Sequence, residues 1–377
     1  MVRLSLVLKA GHTVEIIRRL APSFEAETGV GLDIEVVSED EAYNRLTSGN
    51  RLPDICTVPY WYLADMVASG SLIGLQSNDF PGDSHPTALS ALTLDGTLWA
   101  IPHTLTGGAL FTRADLLSPT IGPDVGSFEE FLSHWDTIID LGSSVAIRAG
   151  SAFSSAETYR GLLYAAGVDA FSSNHRANNR QLLDPLGALV DRLRRQKQSL
   201  TSRDYVQMGE LFATGQATMM FDTSAWATIY ALDSSFSSNV GYGRVGRDRP
   251  AQFFYAEGLG ITSDCRDVEA AHSVIRWRHS PSVIREEVTS LNRIDFPRRD
   301  LVREPWFGEV LAKGDNQAVF DTVMASWDAI PANYPITSEG FVPWGRSLMA
   351  ALSEAVDGAD VAEALDAHLK RVSRDPQ

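Results

Sequence analysis

A chain of 377 residues, 44% hydrophobic and 21% charged, has the composition of a folded protein of two to three domains or one large one, which excludes disorder as its dominant state. Its 32 basic and 48 acidic side chains give a formal charge of −16, which argues against sequence-independent binding of nucleic acid, because that needs a basic stripe. The only cysteines, Cys56 and Cys265, lack zinc-site spacing and are expected as unpaired buried thiols, and no segment approaches the roughly 18 apolar residues of a membrane span.

Residues 1–9 alternate as a first strand, with Leu4, Leu6 and Leu8 on one face. Their apolar run stops at Lys9, below the roughly 7–15 residues of an export-signal core. Either the protein is cytoplasmic, or this is a mature-length chain with Met1 in place of its export signal. A helix follows from Gly11-His12-Thr13, with Val14, Ile17, Leu20 and Phe24 on one face and Gly29 as its left-handed cap. Val30, Leu32, Ile34 and Val36 make a second strand, and Ser38 with Glu41 form a capping box for another helix. Residues 53–58 read as a third strand, 59–61 as an aromatic loop, and a helix runs from Leu63 to a cap at Gly70. This β-α-β-α-β-α order implies a parallel sheet flanked by helices.

Asp95-Gly96 marks a hairpin between Leu92 and Ile101. A crossing between two lobes is expected near Thr106-Gly107-Gly108. Ser127 and Glu130 cap a helix bearing Phe128, Phe131, Leu132, Trp135, Ile138 and Ile139. Strands at 145–147, 217–221 and 258–261 alternate with helices near 155–166, 185–197, 204–213, around Trp226, and at about 267–279. A polar stretch at 233–239 and an arginine-rich loop at 244–249 intervene. The remainder is helical, broken by a loop at 330–343.

Gly241-Tyr242-Gly243-Arg244-Val245-Gly246 matches the dinucleotide pattern G-x-G-x-x-G. That pattern works only where a helix begins behind it, and the Arg247-Asp248-Arg249-Pro250 that follows does not start one; a surface loop is the better account. None of the eight histidines pairs with another histidine or a cysteine at metal-ligand spacing, so no metal is assigned. His272 and His279 belong to a helix surface or its packing. His12 and His103 each follow a strand, and in open α/β sheets ligands meet the loops beyond strand carboxyl ends. The same rule selects Arg148 and Asp222, which follow strands, and Glu257, which precedes one. Of eight tryptophans, Trp135 on a core helix face and Trp277 on the helix at about 267–279 are read as structural. Trp61, Trp226 and Trp344 lie in or just after loops, and Trp327 ends a helix before one. An indole face beside charged and amide groups suits a sugar, whose C–H face stacks while its hydroxyls take hydrogen bonds; packing in the core is the competing account of each.

The order of features resembles the extracellular solute-binding proteins of ABC importers, specifically the carbohydrate-binding group similar to maltose-binding protein. The likeness rests on Phe24 through Val30, which is similar to F-x-x-x-T-G-[IV], on Pro53-Asp54-Ile55, and on residues 68–75, which resemble S-G-x-L-x-x-L. It continues in residues 95–102, 110–117 and 215–220 with Trp226, and ends in the helices from Trp344 to Leu365. Arg113 stands where the family usually has lysine, and Thr106-Gly107-Gly108 where some members place a ligand carboxylate.

The resemblance implies an α/β, two-lobe periplasmic-binding-protein fold, each lobe a mostly parallel sheet flanked by helices, with a hinge between lobes. Lobe 1 would comprise 1–107 and 257–303, and lobe 2 would comprise 108–256 and 304–377. It implies a monomer that captures a sugar, sugar alcohol or sugar-acid ligand in the inter-lobe cleft and delivers it to ABC permease subunits at the periplasmic or extracellular face of the membrane. No cofactor, metal or catalytic residue is expected. The ligand-binding set is His12, Trp61, His103, Arg148, Asp222, Trp226, Glu257, Trp327 and Trp344, with Arg148 leaving room for an acidic sugar. Two other readings are a sugar-processing enzyme using paired carboxylates such as Asp222 and Glu257, and a binder of a different small solute such as a peptide.

Overall fold

The computed structural model describes residues 2–48, 51–76, 82–150, 152–172, 175–176, 179–196, 205–230, 236, 238–330 and 340–372. They form two compact units. As far as residues are described, unit 1 spans 2–105 and 255–313, and unit 2 spans 106–254, 314–330 and 340–372. The strands in chain order are β1 Val2–Lys9, β2 Val30–Val37, β3 Ile55–Pro59, β4 Thr93–Leu94, β5 Thr97–Leu98, β6 Ile101–Thr106, β7 Gly108–Arg113, β8 Val145–Ala146, β9 Phe171–Ser172, β10 His175–Arg176, β11 Met219–Thr223, β12 Val240–Gly243 and β13 Tyr255–Ile261.

Unit 1 is built on a five-stranded sheet in the order β2-β1-β3-β13-β6. β1 pairs in parallel with β2 and β3, as the alternation of strands and helices requires, while β13 runs antiparallel to β3. Leu4, Leu6, Val7 and Leu8 of β1 are all buried, because a central strand covered on both faces has no solvent side to alternate toward. The helix α1 His12–Thr28 buries Val14, Ile17 and Phe24 and closes at Gly29 with φ 73°. Ser38 caps α2 Glu39–Thr47 by accepting the Glu41 N–H at 3.3 Å.

The third helix departs from expectation. Tyr60, Trp61 and Tyr62 are the first turn of α3 Tyr60–Ala68, not a loop before it. Pro59 takes the cap position, where its missing N–H costs nothing. All three aromatic residues are buried, and packing outweighs the loop signal of the proline. The hairpin β4–β5 follows α4 Pro86–Ala91.

Unit 2 carries a four-stranded sheet in the order β12-β7-β11-β8. Only β11–β8 is parallel; β7 runs antiparallel to both neighbours. The implied mostly parallel sheet therefore holds for β2-β1-β3 and for β11–β8. β7 and β13 both begin just after a unit boundary, enter at the edge where the other strands end, and so run the opposite way. In α5 Phe128–Asp140, Ser127 accepts the Glu130 N–H at 3.2 Å, and the Glu130 carboxylate reaches back to the Gly126 N–H at 2.7 Å. Trp135 is core, as expected, with its indole N–H donating to Gln196 at 2.8 Å.

Two helix starts also move. α7 is Asn179–Arg195, with Pro185 inside it, because a buried stripe of Leu182, Leu186, Leu189 and Leu193 extends the helix back past the proline. The helix Phe341–Val356 begins before Pro343, placing Trp344 in its first turn. Residues 240–243 form the edge strand β12, and no helix follows the glycine pattern there. The expected loop at 330–343 and polar stretch at 233–239 fall largely outside the described residues. Cys56 is buried and Cys265 half-buried, and neither is paired. Burial pushes the Cys56 thiol up to about 12.

Gly161, inside α6 Ala156–Ala165, marks a close approach of backbones. A Cβ there would lie 1.8 Å from the Gln252 carbonyl oxygen. Neither side of that contact is a flexible side-chain tip. Gly161→Ala is expected to lower stability by about 1–3 kcal/mol, the cost of overpacking, despite alanine's better helix propensity. A denaturant midpoint at or above that of the native chain would show that α6 can shift freely.

Candidate functional site

In unit 1, β1 and β3 end at the same edge of the sheet, and Glu257 of β13 pairs with Pro59. Lys9, Glu257, Tyr255 and the first turn of α3 therefore gather at one carboxyl edge. Glu257 lies inside β13 rather than before it, and His103 lies inside β6 rather than after a strand. The Glu257 carboxylate lies 3.5 Å from the Lys9 ammonium and 3.1 Å from His103 Nε2, and it accepts the Tyr255 hydroxyl. Burial alone would raise this carboxyl; the Lys9 charge and the two hydrogen bonds outweigh it and hold it at about 2. Burial lowers His103, so its neutral ring donates Nε2–H to the carboxylate. Burial and the adjacent Glu257 push Tyr255 well above its ordinary range. Lys9 Nζ sits 4.7 Å over the Tyr255 ring, and Trp61 packs on that ring at 4.8 Å.

In unit 2, Arg148 follows β8 and Asp222 lies within β11. Their side chains form a fork: Arg148 Nε and Nη2 donate to the two Asp222 oxygens at 2.6 and 2.8 Å. Asp222 is fully buried and also accepts the Thr223 N–H at 2.7 Å. The guanidinium lies 4.1 Å over the Phe253 ring. α9 Ala225–Tyr230 carries Trp226, stacked on Tyr230 with centroids 5.5 Å apart and planes at 17°. Trp344 packs on Phe171 at 4.9 Å, and Trp327, near the end of the helix Asn316–Asp328, is buried. His12 starts α1, but its side chain lies outside the described residues.

The structure thus joins His103 with Glu257 in unit 1 and Arg148 with Asp222 in unit 2. Trp226 stacks on Tyr230 and Trp344 packs on Phe171, while Trp327 is buried near the end of its helix. Asp222 and Glu257, the pair an acid/base reading needs, belong to different units. Glu257, held low by Lys9 and its two hydrogen bonds, is ionised near neutrality. Lys9 and Tyr255 were missed, although the signals were present: Lys9 ends a strand, and Tyr255 shares a strand face with Glu257 two residues on. Phe253 carried no such signal. Unit 2 also holds an open cavity of about 320 Å³ between β12 and the helix Asn316–Asp328, lined by Tyr242, Gln252, Asp321 and Ser326 among others.

A family model described as bacterial extracellular solute-binding protein matches residues 10–282. No curated protein matches the chain. Among solved structures, an ABC transporter solute-binding protein from Agrobacterium vitis with bound D-mannitol is 17% identical, with a TM-score of 0.83, over 99% of this chain and 98% of that one. One from Agrobacterium radiobacter in complex with ribitol is 19% identical, with a TM-score of 0.84, over 99% and 98%. One from Thermotoga lettingae bound with α-D-tagatose is 14% identical, with a TM-score of 0.81, over 99% of each chain. At these identities the likeness is one of fold: α/β, of the two-lobe kind.

Proposed function

The chain belongs to the bacterial extracellular solute-binding protein family, and from that premise we propose that it is the non-enzymatic, ligand-capturing component of an ABC importer. Its ligand is a neutral sugar or sugar alcohol. Trp61, Trp226 and Trp344 supply stacking faces, and Lys9 and Glu257 take hydroxyls. His12, His103 and Trp327 remain in the proposed set. The protein works as a monomer at the periplasmic or extracellular face of the membrane and hands its ligand to permease subunits. Among the described residues no helix is long and apolar enough to cross a membrane.

One observation carries the choice of a neutral ligand: in each cluster the cation already faces a protein carboxylate, with Glu39 a second carboxylate at 3.8 Å from Lys9. Lys9 faces Glu257, and the Nε–Nη2 edge of Arg148 is taken by Asp222. A sugar acid would have to compete with Asp222 for that edge, so Arg148 is a structural partner rather than the anchor of an acidic sugar. Ligands of the solved neighbours, D-mannitol, ribitol and D-tagatose, are neutral, which fits this reading.

Thermal unfolding with D-mannitol, ribitol, D-tagatose, maltose and D-galacturonate tests it. A ligand that binds only the native state at about 100 times its Kd adds ~2.7 kcal/mol. At least one neutral compound is expected to raise Tm, and galacturonate to do so less. Trp226→Ala is expected to lose most of the rise. A response to a dipeptide panel and to no sugar or polyol would replace the carbohydrate assignment.

A further inference from the structure

Gly209 occupies the middle of α8 Tyr205–Ala213, where glycine is the poorest helix former apart from proline. A Cβ built on it would lie 2.0 Å from Trp226 Cη2, 2.4 Å from Cζ3 and 2.6 Å from Cζ2. The benzo edge of the indole therefore rests directly on the helix backbone. The carbonyl oxygen of the same residue accepts the Tyr230 hydroxyl at 3.4 Å. Tyr230 is the ring stacked on Trp226, and it packs in turn on Phe212, at 5.4 Å, farther along α8. One residue thus fixes both rings of the stack, the indole through the space left by its missing side chain and the phenol through its carbonyl.

We propose that Gly209 is a positioning residue that sets the plane of Trp226 for ligand stacking. The inference rests on the reading of Trp226 as a ligand contact. An indole is rigid and the Gly209 side of the contact is helix backbone, so the overlap at its far edge is relieved chiefly by turning the whole ring about its χ angles. That turn breaks the near-parallel arrangement with Tyr230. Any side chain at 209 would therefore leave the ring in the protein but tilt its face.

A double-mutant cycle on the full chain separates the two ideas. Wild type, Gly209→Ala, Trp226→Ala and the double variant are titrated calorimetrically with D-mannitol, ribitol, D-tagatose and maltose, and their melting temperatures are recorded. Gly209→Ala is expected to weaken binding about threefold to tenfold, the size of a stacking contribution. In the Trp226→Ala background the same change should leave Kd unaltered and raise Tm, because alanine is the better helix former and the ring is gone. Wild-type affinity in Gly209→Ala, alongside weakened binding in Trp226→Ala, overturns the positioning role and leaves the reading of the site intact. Wild-type affinity in Trp226→Ala, or binding of none of the four compounds by the native chain, overturns the reading itself. If Gly209→Ala fails to fold while the double variant folds, the clash is supported. A double variant no more stable than Trp226→Ala overturns it.

Discussion

Asp222→Ala is expected to lower the melting temperature by about 6–20 °C, from a loss of about 3–5 kcal/mol when one partner of a buried ion pair is removed. Asp222 is fully buried and Arg148 nearly so. The variant leaves the guanidinium on Phe253 with two of its donors facing no carboxylate. The Thr223 N–H loses its acceptor as well. An uncompensated buried charge costs far more than the pair contributes, because desolvation offsets most of the attraction between the two. The double variant Arg148→Met/Asp222→Leu is accordingly expected to melt much closer to the native chain than Asp222→Ala does. Differential scanning calorimetry of the three decides it; a single variant that melts with the native protein would mean that water reaches the guanidinium.

Acid is expected to unfold the protein early, beginning below about pH 6.5. Burial, helped by the positive charge of Arg278, lowers His279 from 6.5 to about 3. His103, with its ring centroid 6.3 Å from that of His279, is lowered as well, chiefly by burial. Between pH 6.5 and 3 the unfolded chain binds protons that the folded chain refuses. Stability is therefore fully present above 6.5 and lost as pH falls, at a slope approaching ~1.4 kcal/mol per pH unit for one such group. Glu257 acts in the same direction in a lower window. Its carboxyl drops from 4.5 to about 2 on folding, so its share is present above 4.5 and disappears toward 2. Urea titrations at pH 7.5, 6.5, 5.5 and 4.5 should show a midpoint that is level above 6.5 and falls below it. His279→Gln, which removes one titrating ring, should flatten the upper part of the fall. An unchanged slope would place the acid sensitivity elsewhere.

Local signals were legible wherever one residue type has one mechanical use. Ser38 and Ser127 began helices and Gly29 ended one where expected, since capping depends on residues within one turn. The parallel trio β2-β1-β3 followed from period alone. Helix starts were less legible where a proline sat inside a buried stripe. Pro185 looked like a first-turn residue and Pro343 like the end of a loop, yet Leu182 and Phe341 before them are buried, and packing of an apolar face contributes more than one lost hydrogen bond.

The sequence by itself determined the class of the protein: an acidic α/β chain with aromatic residues at strand and helix ends, in an order that resembles one family, whose model matches residues 10–282. It also named the side chains that turned out to be paired, His103 with Glu257 and Arg148 with Asp222, but only as separate candidates. Tertiary structure decided the pairing, since it brings together residues 154 and 74 positions apart. It also decided the charge state of the site, because a carboxyl near 2 and two neutral histidines depend on burial and on neighbours such as Lys9. Local sequence encodes capping and period; desolvation and Coulomb terms arise only when distant strands end at one edge of a sheet.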